Sequence, residues 1–408
     1  MNRIVLIGNG FDLAHGLNTR YEDFINWYWD YRVDGFKGNV RTISKDSLCS
    51  FEIKNPYNCW NTFYFNLSQT FYKKPGKDII KLIIDDPEKF NVVFSPFFSR
   101  IINSIETKGW VDIENEYYNL LTEYALNNES DINLINLNKQ LQYLQERLID
   151  YLRLINQHDI VVNDKIKDKI YAPINSSDVS IEARKIVEDY VEWWKKQEKT
   201  IWERKLFNYG FTGVNFAHYI HDAEMRIKDP DFFPDYPPLF MLPDNIMLLS
   251  FNYTKTAYEY LINNKQNFLL NYIHGRIEKP QSIIFGYGDE LDENYYKLQK
   301  LNNNECLSNV KTIKYQESDN YRKVLEFVES APFQVCIMGH SCGNSDRTLL
   351  NTLFEHKNCI SIKPYYYKKT DGTDNYIELI QNISRNFTDM KLMRDRVVNK
   401  TYCEPLAE

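Results

Sequence analysis

Arg3-Ile-Val-Leu-Ile-Gly-Asn-Gly-Phe-Asp-Leu-Ala-His-Gly-Leu17 opens the chain and decides how the rest is read. Ile4 to Ile7 form a continuous apolar run, too short for a helix and without a polar face, which predicts a buried parallel strand. Gly8 and Gly10 follow at once. Lacking a Cβ, they let the chain turn sharply and bring bare backbone N–H groups close to a ligand. Leu13-Ala14-His15 reads as a first helical turn, whose amides favour an anion such as a pyrophosphate. Strand, glycine turn and helix in that order form the opening of a nucleotide-binding α/β domain. Position 13 is Leu, so the spacing is not G-x-G-x-x-G, and an ordinary tight βα turn is the competing reading.

The 408 residues allow two or three domains, or one domain with a large insertion. A hydrophobic content of 43% with 15% aromatics excludes a disordered chain, and 30 Tyr with 24 Phe predict a largely aromatic core. The net charge of −7 gives no general attraction to nucleic acid or to an anionic membrane, so a nucleic-acid partner is not expected. No apolar run approaches ~20 residues, so no membrane span is expected. The N-terminus starts directly with the strand and shows no signal-peptide pattern. The seven cysteines include no C-x-x-C pair. Together these features predict reduced thiols in a cytoplasmic protein, without a zinc ribbon or a disulfide framework.

Tyr21 to Arg32 carries Phe24, Ile25, Trp27, Tyr28 and Trp29 and predicts a heavily buried helix. Residues 33–75 show no clean period and are expected to be mostly loop with short helices. Helical patterns then run through Phe97–Glu106, Trp110–Leu126, Ile132–Gln157 and a long helix near 179–207. In the third of these, Leu134, Leu137, Leu141, Leu144, Leu148, Tyr151 and Ile155 alternate three and four apart. Such a heptad seam serves internal packing or an oligomerisation arm. The proline-rich stretch from Asp229 to Pro238 marks a break. Beyond it lie predicted strands at Ile246–Phe251, Phe268–Ile273, Ser282–Phe285, Phe333–Met338 and Cys359–Lys363, with helices at Tyr321–Glu329, Asp346–His356 and Tyr376–Arg385.

Several of these strands end in small, polar or glycine-rich turns, at 8–12, 252–254, 274–275, 286–288 and 339–343. In an open parallel sheet, ligands sit outside the carboxyl ends of the strands, so these turns are expected to line one crevice. His274 ends a strand, and a neutral imidazole there can take a proton from a hydroxyl or a water. Asn252 can donate and accept, which suits holding a ribose or a water. Asp12 can accept from a hydroxyl or cap the following helix. Gly339-His340-Ser341-Cys342-Gly343 matches G-x-S-x-G after a strand, the nucleophile elbow of serine hydrolases, but the one later histidine is His356. The acidic run Asp289, Glu290, Asp292 and Glu293 reads as a solvated loop before a cation site. Glu114 reads as an exposed or structural helical carboxylate.

Gly8-Asn-Gly-Phe-Asp-Leu-Ala-His-Gly-Leu-Asn-Thr-Arg-Tyr-Glu-Asp-Phe24 resembles the N-terminal signature of the bacteriophage abortive-infection proteins called AbiH. Trp110-Val-Asp-Ile-Glu114, Ser250-Phe-Asn-Tyr-Thr254, Ile273-His-Gly275 and Gly339-His-Ser-Cys-Gly-Asn-Ser-Asp346 fit that family in the same order. More distantly, the motifs are similar to the sirtuin-like NAD-binding fold. Gly8, Gly10 and Gly16 keep the glycine spacing of G-A-G-x-S-x-x-x-G, and Asn252-Tyr253 match the strand end T-N-Y-D. His274-Gly275 stands at the catalytic H-G and Gly339-His340-Ser341 at the late G-T-S turn. Asp12 stands where sirtuins have Ser, Thr254 where they have Asp, and no zinc-binding cysteine quartet is present.

The resemblance implies an α/β fold with a Rossmann-like, sirtuin-type parallel sheet built from residues 1–20 and 240–408, and a mostly α-helical insertion at 21–239. It implies a phage-defence effector that binds NAD or a related nucleotide and hydrolyses the nicotinamide–ribose bond. Asn252 would hold the ribose or the attacking water, and His274 would act as general base. Gly8, Asn9, Gly10, Asp12, Gly16, Thr254, Gly339, His340 and Ser341 would line the nucleotide. No metal is expected, and a homo-oligomer formed through the insertion is allowed. The rival expectations are a non-catalytic nucleotide sensor acting through the insertion, a serine hydrolase using Ser341, and a nucleic-acid binder.

Overall fold

The computed structural model of the protein describes residues 1–55, 58–70, 74–108, 112–127, 130–157, 159–261 and 267–407. The chain forms two compact units. One comprises Met1–Leu17, His158–Ile284 and Thr312–Glu408, the other Asn18–Gln157 and Phe285–Lys311.

The first unit is built on five parallel strands: β1 (Asn2–Ile7), β5 (Asn245–Ser250), β6 (Phe268–Tyr272), β7 (Phe333–Met338) and β8 (Cys359–Tyr365), the three between β1 and β5 belonging to the other unit. Their order is β6-β5-β1-β7-β8, and Val5 lies between Leu248 and Cys336 in register. The chain winds outward from β1 through β5 to β6, then crosses back and winds outward through β7 to β8, so its direction reverses between β1 and β7.

These strands are mostly apolar because both faces of the sheet are covered, except at the edge strand β6, where Leu269 is exposed. Side chains alternate along a strand, and two separate apolar clusters result. Val5, Ile7, Ile246, Leu248, Cys336 and Met338 point to one cluster, with Ile166, Val187, Trp194, Trp202, Leu206 and Phe240. Ile4, Leu6, Met247, Leu249, Val335 and Ile337 point to the other, with Val324, Leu350, Phe354 and Ile383. Each buried Leu or Ile contributes roughly 1.5–3 kcal/mol relative to exposure. Residues 159–239, grouped by sequence with the insertion, therefore supply the layer on one face of the sheet. That layer is helical, but the expected long helix at 179–207 is two, Arg184–Lys195 and Lys199–Asn208. The strand expected at Ser282–Phe285 is not one: Pro280–Ser282 is a single 3₁₀ turn and Ile284 donates one backbone hydrogen bond to His274. The other expected strands and the three late helices are present within a residue or two.

The second unit holds the helices Tyr21–Phe36, Trp60–Thr70, Gly76–Asp85, Pro96–Lys108, Ile113–Leu126 and Asp131–Ile155. Trp110 and Val111, expected to open one of them, lie outside the described residues. The stretch expected to be mostly loop contributes two strands to a small antiparallel sheet of β2 (Ile43–Lys45), β3 (Cys49–Ile53) and β4 (Phe90–Phe94), ordered β2-β3-β4. Phe36 and Trp60 stack with ring centroids 4.4 Å apart in its aromatic core. The heptad seam is internal along most of its length: Leu134, Leu137, Leu141, Leu144, Leu148 and Tyr151 are buried, and Ile155 at its end is half-buried.

Candidate functional site

The turns that follow β1, β5, β6 and β7 leave the same end of the parallel sheet. After β1, Gly8 caps the helix Asn9–Ala14 without a side-chain bond. Its amide and that of Gly10 are already used. Gly8 N donates to Met338 O at 3.3 Å and Gly10 N to Gly339 O at 2.8 Å. A Cβ on Gly8 would lie 2.5 Å from His340 Cα, and one on Gly10 2.8 Å from Gly339 Cα. The missing side chains thus admit the backbone of the β7 turn. Asn9 is exposed, and Gly16 ends the helix with a φ of +76°.

Asp12, on that short helix, is 1% exposed. Thr254 Oγ1 donates to its Oδ2 at 2.7 Å, and Oδ1 has no partner among the described residues. Burial pushes the Asp12 carboxyl up to about 6, against the opposing hydrogen bonds of Thr254, Thr256 and Asn252. Asn252, half-buried after β5, donates from Nδ2 to Gly8 O at 2.9 Å and so ties the β5 turn to the glycine turn. Asp12 and Thr254, two of the positions at which this chain differs from the sirtuin motifs, are therefore partners.

His274 and His340 come from strands separated by two others, and their turns meet around Phe251. Its ring centroid lies 5.1 Å from His274, nearly perpendicular, and 4.1 Å from His340. Asp346 joins the two imidazoles: His274 Nε2 lies 3.2 Å from Oδ1 and His340 Nε2 3.5 Å from Oδ2. The Tyr315 hydroxyl is 3.1 Å from His274 Nε2. All three members are buried. Asp346 sits at the N-terminus of the helix Arg347–Phe354 without capping it through its side chain, and the helix dipole favours its negative charge. Asp346 closes the motif Gly339–Asp346, yet the sequence alone carries no sign of its role. An Asp preceding a helix reads by default as a cap.

The β7 turn is held firmly. Cys342 N donates to His340 Nδ1 at 3.0 Å, and Cys342 has a φ of +55°. Asn382 and Asn386 donate to the carbonyls of Ser341 and Cys342, each at 2.9 Å. Ser341 itself is exposed, and burial pushes the Cys342 thiol up, which makes it a poor nucleophile. His356, the later histidine a serine hydrolase would need, has both nitrogens engaged: Nε2 lies 3.2 Å from Glu329 Oε1 and Nδ1 accepts from Asn358 N at 3.2 Å.

In the second unit, Glu114 is structural. Its Oε1 accepts from Gly286 N at 3.0 Å and its Oε2 pairs with buried Lys311 at 2.9 Å. The acidic run is less solvated than its composition suggests, since Asp289 is 3% exposed and Asp292 accepts from Tyr118 Oη at 2.6 Å. Among the described residues, no three His, Cys, Asp or Glu side chains are grouped to hold a metal ion, and no helix is long and apolar enough to cross a membrane.

The family model described as bacteriophage abortive infection AbiH matches residues 4–367. No curated protein and no solved structure matches the chain.

Proposed function

Because the chain belongs to the bacteriophage abortive-infection family AbiH, we propose that it is a phage-defence effector that binds NAD or a related nucleotide at the carboxyl end of its sheet and hydrolyses the nicotinamide–ribose bond. The family suggests the abortive-infection role; the nucleotide and the reaction are our reading. The reading takes the sheet as Rossmann-like and of the sirtuin type, in keeping with its five parallel strands and the reversal between β1 and β7, where such sheets bind ligands.

The observation that carries the chemistry is His274 beside a carboxylate, 3.2 Å from Asp346, at the strand end next to Asn252. In hydrolysis, water adds to the ribose carbon, nicotinamide leaves with the bonding electrons, and His274 takes the proton of the water. Asn252, fixed on Gly8 O, would position that water or a ribose hydroxyl. A buried setting strengthens such fixed dipoles.

The glycine turn itself does not fit a pyrophosphate, because the amides of Gly8 and Gly10 already bond the β7 turn. Phosphate contacts in this reading fall instead to groups exposed at the same end, the Asn9 side chain and the Ser341 hydroxyl. Asp12 is turned to Thr254, so its carboxylate does not face a phosphate there.

The test is cellular NAD during phage infection, in cells carrying the wild type, His274→Ala or Asn252→Ala. NAD is expected to fall only with the wild type. Protection from phage with unchanged NAD would overturn the reading.

A further inference from the structure

We infer that His340 is a positioning residue, locked as the neutral Nε2–H tautomer, which holds the Asp346 carboxylate toward His274 and thereby makes Nδ1 the basic nitrogen of His274. The inference rests on the proposed role of His274 and deepens it.

The Cys342 amide fixes the first proton. A backbone N–H only donates, so His340 Nδ1, which receives it at 3.0 Å, carries a lone pair. The proton of a neutral His340 is then on Nε2, the nitrogen that faces Asp346 Oδ2. Protonating Nδ1 would break the Cys342 bond inside a turn pinned by Asn382 and Asn386. Asp346 accepts on Oδ2 and presents Oδ1 to His274 Nε2. An ionised carboxylate only accepts, and a lone pair facing it at 3.2 Å would be repelled. The Nε2 proton of His274 therefore points at Asp346, and the Tyr315 oxygen, 3.1 Å away, serves as a second acceptor. The carboxylate selects the tautomer, as the acid of a catalytic triad does.

This chain of donors makes an unusual prediction for Asp346→Asn. His340 can only donate, so it takes the Asn carbonyl oxygen, and the Asn NH₂ group is left facing His274 Nε2. His274 must then switch to the Nδ1–H tautomer. Replacing His340 as well, in His340→Phe/Asp346→Asn, removes that demand. The Asn can then turn its oxygen to His274, and the Nε2–H tautomer returns.

The experiment is ¹⁵N-histidine NMR of the full chain, assigned by single histidine substitutions, for the wild type, Asp346→Asn and the double variant. Expected are Nε2–H for both rings in the wild type, Nδ1–H for His274 in Asp346→Asn, and reversion in the double variant. An unchanged His274 in Asp346→Asn, or no reversion, overturns the inference. If the double variant does not fold, a wild-type His340 with a protonated Nδ1 overturns it equally well. The readout needs no substrate, so it stands even where NAD hydrolysis fails. Where hydrolysis is present, Asp346→Asn should lower kcat on the order of 10⁴-fold with KM changed little.

Discussion

Gly339→Ala, measured against Gly16→Ala, isolates the interlock between the β1 and β7 turns. Both glycines have nearly the same left-handed backbone, φ +77° and +76°. An L-residue there costs roughly 1–2 kcal/mol. Their surroundings differ. A Cβ on Gly16 meets nothing within 4 Å, whereas one on Gly339 would lie 2.1 Å from Phe11 N and 2.5 Å from Gly10 C. Relieving that clash requires the two turns to part, which adds about 1–3 kcal/mol of overpacking strain. It also weakens the Gly10 N–Gly339 O hydrogen bond, worth about 0.5–1.5 kcal/mol. Gly339→Ala should therefore destabilise the sheet unit by roughly 3–6 kcal/mol and Gly16→Ala by about 1–2 kcal/mol. Urea unfolding followed by hydrogen exchange of peptides from β1 and β7 separates this unit from the other. Equal losses for the two substitutions would refute the interlock and return the glycines to a ligand-cradling role.

Asp12→Asn should flatten the pH dependence of stability. The folded pKa, about 6, lies above the ordinary carboxyl value of 3.8, so the stabilising contribution is full below the unfolded value and is lost as pH rises through 6. The loss is roughly 3 kcal/mol at most. Urea midpoints from pH 4 to 7.5 that run parallel in wild type and variant would contradict this. Thr254→Val should cost about 1–3 kcal/mol at pH 7.5 by removing the donor to Asp12, and little in the Asp12→Asn background; additive losses in a double-mutant cycle would argue against the pairing. Glu114→Gln should destabilise the second unit by about 3–5 kcal/mol, because it breaks a buried ion pair from one side. Adding Lys311→Met should recover part of that loss in thermal unfolding, and a further drop would show that Glu114 and Lys311 act independently.

The five parallel strands were legible because each is built on a short apolar run, buried on both faces in β1, β5, β7 and β8 and only in part at the edge strand β6, where Leu269 is exposed. What covers those faces was not legible. The apolar stripe of Arg184–Lys195 reads the same against a sheet as inside a separate helical domain. The break at residues 196–198 carries no Gly or Pro to announce it. The antiparallel sheet escaped notice because β2 has three residues and strong alternation is confined to β3.

At the candidate site, the positions of His274, Asn252 and the turns around them were legible, since each follows a readable strand. The sequence could not tell a glycine that approaches a phosphate from one that approaches another turn, because both demands are met by the same missing Cβ. Nor could it show that Asp12 and Thr254, far apart in the chain and each a departure from the sirtuin pattern, form one hydrogen bond with carboxylate and hydroxyl exchanged between the two positions.

Nicotinamide release from NAD by the purified full chain, alone and with lysate of phage-infected cells added, tests the central claim most directly. The wild type should release nicotinamide, and His274→Ala and Asn252→Ala, folded as judged by circular dichroism, should not. Release by both variants at the wild-type rate, or none by the wild type under either condition, would contradict it.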